Sequence, residues 1–258
     1  MALPAHLRGA IRAFWLGGLV LALVICYAFL ALATLTLLLP LGQVWSRWKG
    51  YSDAQKLFAL YIGLELATEV ISFILGRMGR TNIWVAHIVM PIEAMIIVYT
   101  FAAWQVDRST HLWLSRAAPL MLLFWVPAVL GWEPLNDFNI GTDSMEAIIC
   151  LAVAAYTVVR RFFEDDGPAV DRDWFWIGAG VMLYFATSAL MLPLIGYLSK
   201  VSRDTAIATL SVQGGFGVFA NVLYYYGMRC PSHLQNSGYS SSLPQSSQPF
   251  SWSRWVRP

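Results

Sequence analysis

The sequence predicts an all-α membrane protein, a seven-transmembrane helix bundle with the N-terminus outside and the C-terminus cytoplasmic. Three observations carry that fold class. Of the 258 residues, 58% are hydrophobic and only 12% charged, whereas a soluble domain averages about 45–50% apolar and about 25% charged. The apolar residues gather into seven runs close to the roughly 20 residues that cross a bilayer core. Lys and Arg are shared unequally between alternate connections, as the positive-inside rule describes. A chain with so little charge is not a soluble enzyme or a disordered protein. Its net charge of +2 is too scattered to make a nucleic-acid footprint.

The first run, residues 14–39, follows Arg8 and Arg12 and contains Ala31-Leu32-Ala33, which brings a cleaved signal peptide to mind. Its length of about 26 residues exceeds the roughly 7–15 of a signal core, so a retained helix is expected. The second run is 54–75 and the third 83–104, with Pro91 inside it to remove a hydrogen bond and kink the axis. The fourth, 114–132, holds Pro119 and Pro127; the sixth, 174–198, holds Pro193; all three read as kinks. The fifth is 145–163. The seventh, 205–227, carries Gly214, Gly215 and Gly217, small enough for close helix approach. From Pro231 the composition turns to Ser, Gln, Pro and Gly. Residues 230–258 are therefore read as a disordered cytoplasmic tail after a transmembrane domain of residues 1–229.

Seven spans put the termini on opposite sides. One side holds Arg8, Arg12, Arg77, Arg80, Lys200 and Arg203; the other eleven basic residues fall on the second side, which is therefore cytoplasmic. Trp45, Trp48, Trp84, Trp104, Trp113, Trp132, Trp174 and Trp176 lie near span ends, where an indole sits well at headgroup level. Cys26, Cys150 and Cys230 share no metal-ligand spacing.

Function is sought among the residues that a bilayer does not tolerate. An ionisable group at the membrane centre costs about 2.5–3.5 kcal/mol on translocon scales and normally faces a bundle interior or a wet cavity. Glu65, Glu69, His87, Glu93 and Glu146 lie inside spans. Tyr61, Glu65, Thr68, Glu69 and Ser72 fall at i, i+4, i+7, i+8 and i+11, one face of a helix. Asn82, Glu93 and Thr100 share a face of the third span. His87 is about 120° away from Glu93, and the Pro91 kink is expected to bring it partly round.

At 1.5 Å per residue, Glu65 and Glu93 each lie about 16 Å below the outer ends of their helices, Glu69 and His87 about 10 and 8 Å, and Gln213 about 15 Å. The short connection between the second and third spans should set Glu65 level with Glu93 and Glu69 level with His87. Two carboxyls held close in a low dielectric cannot both be ionised, and His87 would pair or exchange protons with Glu69. Interhelical packing alone is the competing explanation of these polar side chains. Asp137, Asn139, Gly141, Asp143 and Glu146 form a fragment of a calcium loop without the twelve-residue spacing of an EF-hand.

A retinal protein needs a lysine in the seventh span, which has none. A serine intramembrane protease needs Ser and His in facing positions within a Gly-x-Ser context, which the spans do not offer, and a zinc hydrolase needs more than His87, the one histidine inside a span. The runs Glu65 to Glu69, Asn82-Ile83-Trp84-Val85-Ala86-His87 and Pro91-Ile92-Glu93, with Trp174-Phe175-Trp176-Ile177 and Tyr184 later, resemble a group of uncharacterised bacterial seven-helix integral membrane proteins. That resemblance implies a bacterial inner membrane and no particular activity. Pro91-Ile92-Glu93 also resembles the Pro-x-Glu-Glu element of membrane lycopene cyclase domains, which protonate a polyene, although Ala94 stands where the second glutamate would be.

The leading expectation is a protein that binds a small polar ligand or proton at Tyr61, Glu65, Glu69, Asn82, His87, Glu93, Glu146 and Gln213, for sensing or transport. The alternatives are a membrane-embedded acid/base enzyme on a lipid or isoprenoid, and a structural subunit of a membrane complex. The partners expected are the lipid bilayer and a small polar ligand or lipid, with no nucleic acid and no cofactor.

Overall fold

The computed structural model describes residues 24–133, 135, 140–165 and 167–231. These residues are helical with no strands, and seven of the helical stretches are long and apolar enough to cross a membrane. The tail from residue 232, and Asp137 and Asn139 of the calcium-like fragment, lie outside the described residues.

The first stretch is interrupted. Helix α1 (residues 24–36) and α2 (Leu38–Arg47) are separated at Leu37. Pro40 has no N–H to give the carbonyl of Thr36, and its ring crowds that carbonyl. The helix nevertheless resumes to Arg47 and a 3₁₀ turn over Trp48–Gly50. The stretch thus ends well beyond residue 39, where the apolar run was expected to stop. Ser52 and Gln55 then form a reciprocal capping box, each accepting the other's backbone N–H at 3.1 Å, and open α3 (Asp53–Arg77).

After α3 the chain reverses within a few residues. Gly79 takes φ +69°, the left-handed conformation that a residue without Cβ adopts freely, and Arg80 N–H closes on Leu75 O at 2.9 Å. The return helix is α4 (Ile83–Ala103), which keeps Pro91 inside it. The fourth stretch is two helices rather than one kinked helix. Asp107 caps α5 (Arg108–Ala117) through the Thr110 N–H at 2.9 Å, and α6 (Leu120–Gly131) starts after Pro119. Pro119 has no N–H to extend the ladder of α5 and stands at the N-cap of α6, and this places the break. The last three are α7 (Ile140–Glu164), α8 (Asp173–Val201) and α9 (Arg203–Arg229).

Helix α8 packs between α7 and α9, α3 packs on α4, α2 on α9 and α3, and α4 also on α5 and α7. The two halves of the bundle differ. Around the start of α3, the end of α4, the start of α8 and the end of α9, the interior is filled mainly by apolar side chains, Phe58, Ile62, Ile97, Phe101, Trp174, Ile177, Val181 and Met228. Helices α8 and α9 approach most closely here. A Cβ at Gly180 would lie 2.5 Å from Tyr224 Cε1 and 3.1 Å from the Ala220 carbonyl. The Gln55 amide ties the same end together, donating to Gly227 O at 3.3 Å and Cys230 O at 3.1 Å.

Trp45, Trp48, Trp84, Trp113 and Trp132 are exposed, as interfacial anchors require. Trp104 and Trp174 are not anchors: both are buried, with their indole N–H groups donating to Asp173 at 3.3 Å and Asp165 at 2.8 Å. An apolar ring with one polar atom is stable in a core once that atom finds an acceptor.

Candidate functional site

In the opposite half the interior is polar and open. A cavity of about 230 Å³ lies between α3, α4, α7, α8 and α9. Its floor is near mid-bundle, at Tyr61, Glu65 and Glu93, and its lining runs along α3 to Ser72, toward the Gly79 turn.

Helix α3 contributes Tyr61, Glu65, Thr68, Glu69 and Ser72, the whole polar stripe. Successive positions three or four apart recur on one side of an α-helix, so one face presents all five. Helix α4 contributes Ala86, Val89, Met90 and Glu93 by the same spacing. The carboxyls of Glu65 and Glu93 meet within hydrogen-bonding range. The tight reversal at Gly79 makes α3 and α4 antiparallel neighbours and so brings these two residues to the same level. Glu69 lies nearer the rim, exposed, where Thr34 of α1 donates to it at 3.5 Å.

Helix α7 supplies Asp143 and Glu146, one turn apart. Glu146 is only 6% exposed, yet it lines the cavity. The start of α7 is held by Glu133, whose carboxylate accepts the backbone N–H groups of Gly141 and Thr142 and the Thr142 hydroxyl. A negative group at the N-terminal turn of a helix also complements the helix dipole. Helix α8 adds Tyr184, Phe185, Ser188 and Leu192, and α9 adds Gln213, whose amide donates to Ser188 Oγ at 2.9 Å.

Six of the eight residues singled out from sequence therefore meet at one cavity: Tyr61, Glu65, Glu69, Glu93, Glu146 and Gln213. Two do not. His87 is fully buried and is not among the residues that line the cavity. Asn82 sits at the N-cap of α4 and donates to Ser72 O at 3.4 Å, bracing the turn outside the cavity.

Asp143, Tyr184 and Ser188 also line the cavity, although none is among the eight residues that the sequence singles out. Asp143 belongs to the calcium-loop-like fragment by sequence, and it lies in α7 at the helical i, i+3 spacing from Glu146. Tyr184 and Ser188 carry the same kind of signal, an i, i+4 polar pair inside an apolar run.

Chemically the site is one-sided. Five carboxyl side chains line it, and among the described residues no Lys, Arg or His does. Among the described residues, no three His, Cys, Asp or Glu side chains are grouped so as to hold a metal ion. The arrangement offers hydrogen-bond acceptors, proton-exchanging groups and aromatic faces. No family model, curated protein or solved structure matches this chain.

Proposed function

We propose that this chain is a multi-pass integral membrane protein of a bacterial inner membrane that binds a small polar ligand, or protons, in the carboxyl cavity, for sensing or transport. The observation that carries the reading is the convergence of Glu65, Glu69, Glu93, Asp143 and Glu146, from three helices, on one cavity that no cationic side chain lines among the described residues. Carboxyls in a bundle interior are costly, and helix packing alone is served as well by serine or tyrosine.

The outward faces support membrane insertion. Large apolar side chains such as Phe73, Leu123, Leu130 and Leu190 stand exposed, far more apolar surface than a soluble monomer presents. The split of six and eleven basic residues between the two sides supports an outer N-terminus and a cytoplasmic C-terminus. On that orientation the cavity lies in the outer half. Its volume of about 230 Å³ favours a small ligand over a lipid or isoprenoid substrate, since even drug-sized ligands occupy sites of about 300–1,000 Å³.

Two carboxyls in contact in a low dielectric share one proton between them. Infrared difference spectroscopy of the protein reconstituted in lipid tests this. At neutral pH a protonated-carboxyl band should be present, and it should vanish or shift in Glu65→Gln and Glu93→Gln. A wild-type spectrum with ionised carboxylates only would refute the coupled pair.

A further inference from the structure

Buried polar groups in folded proteins are almost always hydrogen-bonded, so those left over at a cavity describe what is missing from it. Glu146 is 6% exposed and Tyr61 3% exposed; both line the cavity, and neither makes a hydrogen bond among the described residues. The Oε1 atoms of Glu93 and Gln213 are likewise buried without a partner. One N–H of the Gln213 amide is given to Ser188. The orphaned Glu93 and Gln213 oxygens and the Glu146 carboxyl are acceptors, and two of these three groups are carboxyls.

Resting on the reading of this cavity as a ligand site, we infer that its ligand is a small aliphatic ammonium, held by its N–H donors to Glu93, Glu146 and Gln213 and covered by the aromatic rings of Tyr61, Tyr184 and Phe185. A primary ammonium has three donors and no acceptor, the complement of what the walls leave unmet. Hydrogen bonds from a cation to a carboxylate are roughly twice as strong as neutral ones. An aromatic face adds attraction for a cation that has shed its water. A bare metal ion fits less well, because the carboxyls are spread along the walls and not gathered into a coordination shell. The cavity holds about eight water volumes at about 30 Å³ each, room for an amine of a similar number of non-hydrogen atoms.

Calorimetric titration of the full chain in lipid nanodiscs tests the assignment, with butylammonium as probe and 1-butanol and tetramethylammonium as controls. Butylammonium should bind, and the neutral alcohol should not. Tetramethylammonium, which has no N–H, should bind at least about tenfold more weakly, the loss of one good charge-assisted contact. Glu146→Gln and Tyr61→Leu should each weaken butylammonium by a similar factor. Gln213→Leu gives a second measure if either variant fails to fold. Equal binding of butylammonium and butanol, equal binding of the two ammonium ions, or unchanged affinity in a folded Glu146→Gln or Gln213→Leu protein would overturn the inference. If the protonated-carboxyl band is present but butylammonium does not bind, the ligand assignment falls while the coupled carboxyl site stands. If both are missing, both fall.

Discussion

Glu133 closes the first turn of α7 on Thr142, accepting its hydroxyl at 2.6 Å and its backbone N–H at 3.1 Å with the same carboxylate oxygen. Both residues are buried, so Glu133→Ala strands donors that water cannot reach. Losing a helix N-terminal cap costs about 0.5–2 kcal/mol, and the buried setting puts this case at the upper end. The thermal midpoint of the detergent-solubilised protein should fall, and amide exchange at Gly141 and Thr142 should quicken. Unchanged exchange at those two amides would contradict the capping role.

Gly180→Ala is expected to push α8 and α9 apart. The new methyl would meet the Tyr224 ring, which can turn, and the Ala220 carbonyl, which cannot move without its helix. Overpacking of this kind costs about 1–3 kcal/mol. Gly215→Ala, where nothing lies within 4 Å, is the matched control and should leave the thermal midpoint in place.

Gln55→Leu removes the amide that serves Gly227 O, Cys230 O and Ser52 N–H together. Gly227 O keeps the Cys230 N–H at 3.3 Å, whereas Cys230 O and the Ser52 N–H lose the Gln55 side chain; a buried backbone group left unpaired costs about 1–3 kcal/mol, so the loss should exceed that of Ser52→Ala, a cap alone at about 1 kcal/mol. A Gln55→Leu protein as stable as Ser52→Ala would show that the link to α9 contributes nothing.

Cys230 follows α9 outside the long apolar stretches, and burial pushes its thiol up to about 11 from an ordinary value of 9.0. A raised value keeps the unreactive neutral form to higher pH. At pH 8 its thiolate fraction is about 100-fold below that of an unshifted thiol, and alkylation, which proceeds through the thiolate, should slow accordingly. Its rate should rise about tenfold for each pH unit up to about 10. Residue-resolved mass spectrometry of iodoacetamide labelling reads this directly; a rate levelling off by pH 9 would contradict it.

Much of the site was legible because its signals are local. The i, i+4 spacings on α3 need only helical geometry, and the level pairing of Glu65 with Glu93 needs only a tight reversal between two helices of known rise. Gln213 followed from the same depth arithmetic. Long-range features were not legible. Asp143 joins the site because Glu133, eight residues upstream by backbone hydrogen bond to Gly141, fixes where α7 begins. Trp104 and Trp174 looked like anchors because their acceptors, Asp173 and Asp165, are supplied by packing. The extension of the first stretch to Arg47 is stabilised where Arg47 donates to Arg229 O at 2.8 Å, a contact between the ends of α2 and α9.

The Gln55 clamp has a mechanical consequence. It pins α3 to α9 at one extremity, while the polar stripe of α3 lies beyond it, against α4. Measured along the helix, Tyr61 stands about 9 Å and Glu69 about 21 Å from that pivot. A given tilt of α3 about the clamp would therefore displace Glu69 more than twice as far as Tyr61, so the rim of the cavity is the long end of a lever whose fulcrum is a single glutamine amide.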